Sequence, residues 1–148
     1  MIYTVRFAHL MYRPKWYVGD LIIRGDIIGT MGSTGQSTGP HLHIDCVVGD
    51  ISKPFKLADI GTKFPPSEKQ LNYFIDEELF NCRPIITTKF MCPDYRSQFG
   101  KDHPAIDVVP SEKDKKLIRW NRSKKGRVSF VGNQPESYGN VIYVTFSA

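Results

Sequence analysis

Short runs in which apolar and polar residues alternate are the strongest constraint that this sequence places on its fold. The longest run is Ile2–Leu10, whose β-branched and aromatic residues repeat with the two-residue period of a strand. Similar runs, separated by segments rich in proline, glycine, asparagine and serine, cover residues 21–23, 27–29, 41–48, 85–90, 105–109, 117–120, 127–131 and 141–146. We therefore predict a mainly β, antiparallel, sheet-rich fold with tight turns.

One segment has the periodicity of a helix instead. After Pro65 and Pro66, Ser67 and Gln70 form the pattern of a capping box. Five apolar residues then recur at helical spacing: Leu71, Phe74, Ile75, Leu79 and Phe80. We predict a single helix over residues 67–80, closed off by Pro84, whose apolar side covers a sheet. The alternative is a helix that binds a partner.

The size of the chain predicts a single folded domain. It has 148 residues, of which 41% are hydrophobic. Its longest apolar stretches are much shorter than the roughly 18 residues that span a bilayer, so no transmembrane anchoring is expected. The first residues have the pattern of a strand and not of a secretory signal, so export would need another route.

The charge of the chain favours anionic partners without identifying one. Twenty basic and fifteen acidic residues give a formal charge of +5, and cell-wall polymers, nucleic acid and anionic lipid all remain open on this ground. Residues 113–127 contain eight basic residues, namely Lys113, Lys115, Lys116, Arg119, Arg122, Lys124, Lys125 and Arg127. This segment is either a solvated surface or a docking patch for an anionic polymer.

The three cysteines do not suggest a disulfide framework. Cys46, Cys82 and Cys92 are odd in number and have no Cys-x-x-Cys spacing, so neither a set of disulfides nor a thiolate zinc site is indicated. We predict free thiols, with a Cys82–Cys92 bridge as the alternative.

Histidines at even spacing offer a candidate metal site. His41 and His43 are two residues apart in a predicted strand, and His103 and Asp107 are four apart. An even spacing in extended chain places both members of each pair on one face. Catalytic zinc sites use three ligands of the histidine and carboxylate type and leave a position for water. Spacing alone is a weak signal, because a His-x-His pair in a strand is often a surface feature.

The motifs around these residues resemble those of the LytM or lysostaphin-type zinc endopeptidases. Residues 18–43 carry Gly-Asp, a glycine-rich run and Ser-Thr-Gly-Pro-His-x-His. A second family motif is present as His103-x-x-x-Asp107, followed by Gly126-x-Val128 and Tyr138-Gly-Asn140. The resemblance implies a barrel-sandwich hybrid fold with a narrow metal groove.

The two halves of the family pattern stand in exchanged order. Residues 1–60 resemble the family's C-terminal half, residues 85–148 resemble its N-terminal half, and residues 61–84 form a helical connector. The chain thus resembles a circular permutant of one domain, cut at the tip of a hairpin. The alternative is a swapped homodimer in which each chain supplies one half of the site.

The resemblance assigns a role to each histidine. It implies that His103, Asp107 and His43 bind one zinc ion, and that His41 and His9 are catalytic residues that do not bind it. Residues that bind the substrate remain unknown. Ala105 stands where the family usually has glycine, and the family's Phe-Gly-x-Arg lead-in is poorly kept around residues 90–96.

The implied function is zinc-dependent hydrolysis of peptide cross-links in bacterial peptidoglycan. One alternative is a non-catalytic wall-binding or phage tail module on the same scaffold. The other is a nucleic-acid-binding protein that uses the basic 113–127 segment, although no nucleic acid partner is expected. A phosphate cradle in the loop 29–40 is disfavoured, since no Gly-Lys-Ser/Thr follows. Together with the absence of a visible secretory signal, the wall-degrading activity that the resemblance implies suggests a phage or prophage product that acts at the cell wall or is carried in a tail.

Overall fold

The fold is built mainly from β-strands, as seen in a computed structural model that describes residues 1–35, 37, 39–134 and 138–148. The described residues form nine strands: β1 (Ile2–Leu10), β2 (Leu21–Ile22), β3 (Ile27–Thr30), β4 (Leu42–Val48), β5 (Pro84–Thr88), β6 (Ile106–Pro110), β7 (Leu117–Arg119), β8 (Gly126–Gln134) and β9 (Gly139–Ser147). They also contain helices α1 (Glu68–Asn72) and α2 (Pro93–Phe99) and a 3-10 turn at Leu57–Asp59.

Seven of the strands form one antiparallel sheet in the order β2-β8-β9-β1-β4-β6-β5, and β3 pairs with β7 in a second sheet. The predicted mainly antiparallel β fold is thereby confirmed. Strand β1 lies between β9 and β4, and Ile2 is paired with Ser147. The first and last strands of the chain are therefore neighbours.

Each face of the sheet buries its own apolar cluster. Val5 and Phe7 of β1 point into the larger cluster, while Ala8 belongs to the smaller one with Tyr138 and Tyr143. The strand period accounts for this division, because successive side chains point to opposite faces. The site described below lies on the face of the smaller cluster.

The expected helix over residues 67–80 is wrong in extent. Ser67 does cap a helix, since its hydroxyl accepts from the Gln70 N–H, but α1 ends at Asn72. Beyond it the chain makes tight turns: the Phe74 N–H bonds to the Leu71 carbonyl, and the Phe74 carbonyl accepts from the Asn121 side chain. Tertiary contacts thus take up backbone groups that a longer helix would use.

A second helix, α2, lies where none was predicted. It has proline at its first position, Asp94 in its first turn and Gly100 in a left-handed conformation at its end. These are ordinary helix start and stop signals, but the segment is short and lacks a clear apolar stripe. The expectation of one helix is therefore corrected to two within the described residues.

Two further expectations concern the cysteines and the membrane. Cys46, Cys82 and Cys92 are free thiols, as predicted. Within the described part of the chain, no helix has the length and apolar character needed to cross a bilayer.

Gly126, the first residue of the Gly-x-Val motif, marks a close approach between strands and core. A Cβ atom built on it would lie 2.3 Å from Cγ1 of Val144 and 3.1 Å from the Trp120 ring. Both neighbours are fully buried, so neither can move without disturbing the core. The glycine is therefore required by packing.

Gly126→Ala is expected to lower the free energy of unfolding by about 1–3 kcal/mol, because overpacking forces the core apart. Urea unfolding followed by tryptophan fluorescence measures the change. Gly39→Ala is the control, since a Cβ there meets nothing within 4 Å. Equal unfolding midpoints for the two variants would contradict this account of the motif.

Candidate metal centre

The register of the central strands places three polar side chains next to one another. His43 of β4 is paired with Ala8 of β1 on one side and with Asp107 of β6 on the other. Residues directly opposite in an antiparallel pair lie on the same face. His43 and Asp107 therefore share the face of the smaller cluster, and Nδ1 of His43 lies 3.2 Å from Oδ1 of Asp107.

His103 reaches the same point from the segment that precedes β6. Its Nε2 lies 3.3 Å from Oδ2 of Asp107, and its ring centroid is 5.7 Å from that of His43. One ligand atom from each of His43, His103 and Asp107 lies within 4.8 Å of the others. The three residues expected from the resemblance to bind metal are thus brought together within one chain.

His9 joins the group because β1 is irregular at its end. By strict alternation His9 would share the face of Val5 and Phe7. Instead its φ is +60°, the pairing of β1 with β9 shifts between Phe7 and Leu10, and its N–H bonds to the Tyr138 carbonyl. A bulge re-aims a side chain in this way. The His9 ring lies 4.8 Å from that of His41 and 5.9 Å from that of His43.

His41 stands at the edge of the group and is the most exposed of its members. Its Nε2 lies 3.8 Å from Oδ1 of Asp107, and its Nδ1 is 3.0 Å from the Gly39 carbonyl. Gly39 belongs to the loop 29–40, of which Gln36 and Thr38 lie outside the described residues. His41 therefore lies beside Asp107 at the exposed edge of the group.

Hydrogen bonds set which nitrogen of each histidine faces the centre. Nε2 of His43 bonds to Oδ2 of Asp45 at 2.8 Å, so its Nδ1 is turned toward Asp107. Nδ1 of His9 bonds to the Thr34 carbonyl at 2.7 Å, and Nδ1 of His103 is 3.4 Å from the Lys89 carbonyl. A carbonyl can only accept, so these bonds place a proton on Nδ1 and leave Nε2 free.

The surroundings of these side chains shift their pKa values in different directions. Burial lowers the pKa of His43, but its close contacts with the Asp107 and Asp45 carboxylates outweigh burial and raise that pKa to about 9. Burial would raise the pKa of Asp107, and its close contacts with His103 and His43 bring it below its usual range instead. Burial, with the neighbouring His43, lowers the pKa of His9 to about 4. His9 is therefore neutral at physiological pH.

The residues present fit a divalent metal ion. Oδ1 of Asp107 is a buried acceptor without a hydrogen-bond donor among the described residues. Two imidazole nitrogens and a carboxylate oxygen form the three-ligand donor set that catalytic zinc sites use. His9 and His41 then stand beside the ligands as nitrogen bases outside the set.

A buried arginine supports the centre from behind, and the sequence analysis did not identify it. Arg6 is fully buried and donates from Nε and Nη2 to Oδ2 of Asp45. Arg6 is paired with Asp45 in the β1–β4 register, so its place on the polar face follows from alternation. Only the strand pairing shows that it reaches the carboxylate behind His43.

Tyr95 is a second residue that the sequence analysis did not single out. It lies on α2, half-buried, with its ring 4.5 Å from the ring of His103. The signal available was the Pro93 to Gly100 helix pattern. That pattern does not by itself indicate which side chain meets the centre.

Asp45→Ala is expected to destabilise the metal-free protein by about 3–5 kcal/mol, because it leaves the Arg6 charge buried without a partner. Asp50→Ala is the control: it removes an ion pair with Arg127 in which both side chains are nearly half exposed, and such pairs contribute about 0–1 kcal/mol. Urea unfolding in the presence of a chelator measures both. Similar losses for the two variants would contradict the importance of the buried pair.

Comparison with known proteins links this geometry to a family. Residues 2–53 match the model of peptidase family M23. The peptidoglycan DD-endopeptidase ShyC of Vibrio cholerae serotype O1 is 41% identical over 51 residues, which are 34% of this chain and 12% of the relative. Lysostaphins of Staphylococcus staphylolyticus and Staphylococcus simulans are each 49% identical over 47 residues, 31% of this chain and 9% of the relative.

The chain thus spans only about a tenth of the length of these relatives. No solved structure gives a significant match. The matched residues 2–53 nevertheless include strands β1 and β4 with His9, His41 and His43. Over this segment the chain is similar to peptidase family M23 and to peptidases of the LytM and lysostaphin type.

Proposed function

We propose that this protein is a zinc-dependent endopeptidase that hydrolyses peptide cross-links of bacterial peptidoglycan. The observation that carries the proposal is the convergence of His43, His103 and Asp107, with His9 and His41 directly beside them. The relative ShyC is a peptidoglycan DD-endopeptidase, and this similarity supports peptidoglycan as the substrate class. A peptidase-family segment and a fitting donor set support the same chemistry independently.

In this proposal His43 binds zinc through Nδ1, His103 through Nε2 and Asp107 through its carboxylate. A zinc ion held there supplies a Lewis acid for the scissile carbonyl and lowers the pKa of water toward neutrality. The single carboxylate keeps the net charge of the loaded site positive. Asp45 fixes the His43 ring, and the Lys89 carbonyl fixes that of His103.

His9 and His41 manage protons in the proposed reaction. Each has Nδ1 near a backbone carbonyl, so each presents Nε2. A neutral His9, kept so by its low pKa, can accept a proton at Nε2 or donate a hydrogen bond once protonated. The two rings divide two tasks: taking the proton of the attacking water, and stabilising the carbonyl oxygen or protonating the leaving amine.

We also propose that the domain is a circular permutant closed within one chain. Strands β9 and β1 pair along most of their length, which is what a family hairpin cut at its turn would give. The segment between β4 and β5, including α1, would join the former termini. A single chain supplies all three metal ligands, so the swapped dimer is not needed to complete the site.

His43→Ala and Asp107→Asn are each expected to abolish release of soluble fragments from purified peptidoglycan. Losing a hydrogen-bond partner of a ligand costs about 10–100-fold in metal affinity or activity, so losing a ligand should cost more. Mass spectrometry of the digest measures the loss. Asp102→Asn is the matched control, because Asp102 adjoins His103 in sequence but is exposed and pairs with Arg96. Release of soluble fragments by the His43→Ala variant at the wild-type rate would reject the mechanism.

Removing the metal is expected to abolish peptidoglycan hydrolysis, and returning it is expected to restore hydrolysis. The purified chain should contain one zinc per molecule by elemental analysis, lose hydrolysis with 1,10-phenanthroline and regain it when zinc is added back. Undiminished hydrolysis in a metal-free sample would contradict zinc dependence. Binding to nucleic acid that weakens with salt but does not change when the chelator is added would instead favour the basic 113–127 segment as the functional surface.

A further inference from the structure

The most unusual charged group outside the ligands is the guanidinium of Arg6. Its side chain is fully buried, and it lies between the rings of Phe55 and Tyr138, at 4.0 Å and 3.9 Å from their centroids. Nη1 donates to the Phe55 carbonyl at 2.5 Å. Two rings and a carbonyl fix the plane of this group, so it has little freedom to rotate.

The fixed guanidinium is aimed at one carboxylate oxygen. Arg6 donates to Oδ2 of Asp45 from Nε at 3.0 Å and from Nη2 at 2.6 Å. The same oxygen accepts from Nε2 of His43 at 2.8 Å. The other oxygen, Oδ1, is buried and has no hydrogen-bond partner among the residues that the structure describes. Oδ2 thus accepts three hydrogen bonds, while Oδ1 accepts none.

This asymmetry indicates that two donors from Arg6 and one from His43 hold Asp45 in its orientation. A free carboxylate would be expected to rotate and share its donors between both oxygens. Burial opposes the charge of Asp45, while Arg6 and then His43 favour it, so its pKa lies below the usual range. Without Arg6, a fully buried carboxylate would have His43 as its remaining charged partner.

We propose that Arg6 is a positioning residue for the metal site: it orients Asp45 so that the proton of His43 sits on Nε2 and the Nδ1 lone pair points at the metal. The inference rests on the proposed function, because it assigns His43 Nδ1 as a ligand. Arg6 touches neither the ligand atoms nor the open side of the site, and it acts only through Asp45 and His43.

The planar fork of arginine is essential to this role. Nε and Nη2 meet one oxygen while Nη1 bonds elsewhere, a geometry that a lysine ammonium cannot reproduce. Arg6→Lys keeps a positive charge and much of the stem but removes the fork. Arg6→Gln removes the charge as well. The pair therefore separates orientation from charge.

The experiment measures zinc affinity of the full chain by competition with a chromophoric chelator, together with ¹⁵N NMR of the zinc-loaded protein, which reports the ring nitrogen that carries the His43 proton. Arg6→Lys and Arg6→Gln are expected to bind zinc about 10–100-fold more weakly than the wild type. Their His43 signals should show a population with the proton on Nδ1. Arg127→Gln, which removes an arginine from an exposed pair with Asp50, should match the wild type in both measurements.

Each outcome of this experiment decides between structural and positioning roles. Folded Arg6 variants with wild-type zinc affinity and tautomer would overturn the inference, even where they are less stable. If neither Arg6 variant folds, Asp45→Asn takes their place: it keeps the shape of the side chain, loses its charge and should show the same weakened binding. Wild-type affinity in Asp45→Asn would likewise overturn it. A wild-type chain that binds no zinc would defeat the proposed function itself.

Discussion

The antiparallel register of β1, β4 and β6 is the constraint on which the rest of the site depends. It sets Arg6 opposite Asp45, Ala8 opposite His43, and His43 opposite Asp107. Because opposite residues share a face, polar groups from three strands that are far apart in sequence meet without any loop having to fold over them. A slip of one residue in either pairing would send His43 into the apolar core of the other face. The hydrophobic alternation that buries Phe7 therefore also builds the site.

The cost of burying charge explains why the site is layered. Arg6 and Asp45 are fully buried, and isolated charges in such surroundings would be strongly unfavourable. They are tolerated because the two opposite charges form an ion pair, and because the Phe55 and Tyr138 rings face the guanidinium. Outside this layer lie the histidines, and outside these the more exposed His41. Polar groups thus extend from the buried interior to the partly exposed edge of the site.

Local irregularities of the backbone place a side chain that regular strands alone would direct to the other face. A histidine with φ of +60° turns the end of β1, and the Tyr138 carbonyl holds its N–H. The same corner is tied by Asn140, whose N–H and side chain bond to Thr34 and to the Leu10 carbonyl. Such strain is retained where surrounding contacts over-determine it. Here those contacts place His9 among the other rings.

The sequence by itself determined the strands and the mainly antiparallel class, because period-two alternation is a local signal. Its short motifs pointed, by resemblance, to the five residues that the structure brings together. It could not determine the length of α1, since Asn121 from a distant segment takes the Phe74 carbonyl. Nor could it identify Arg6, because a polar residue in a strand gains a partner only through pairing across 39 residues. The bulge at His9 is likewise decided by contacts with the Thr34 loop and β9. Tertiary structure alone decided these features, because each depends on hydrogen bonds between segments that sequence order leaves apart.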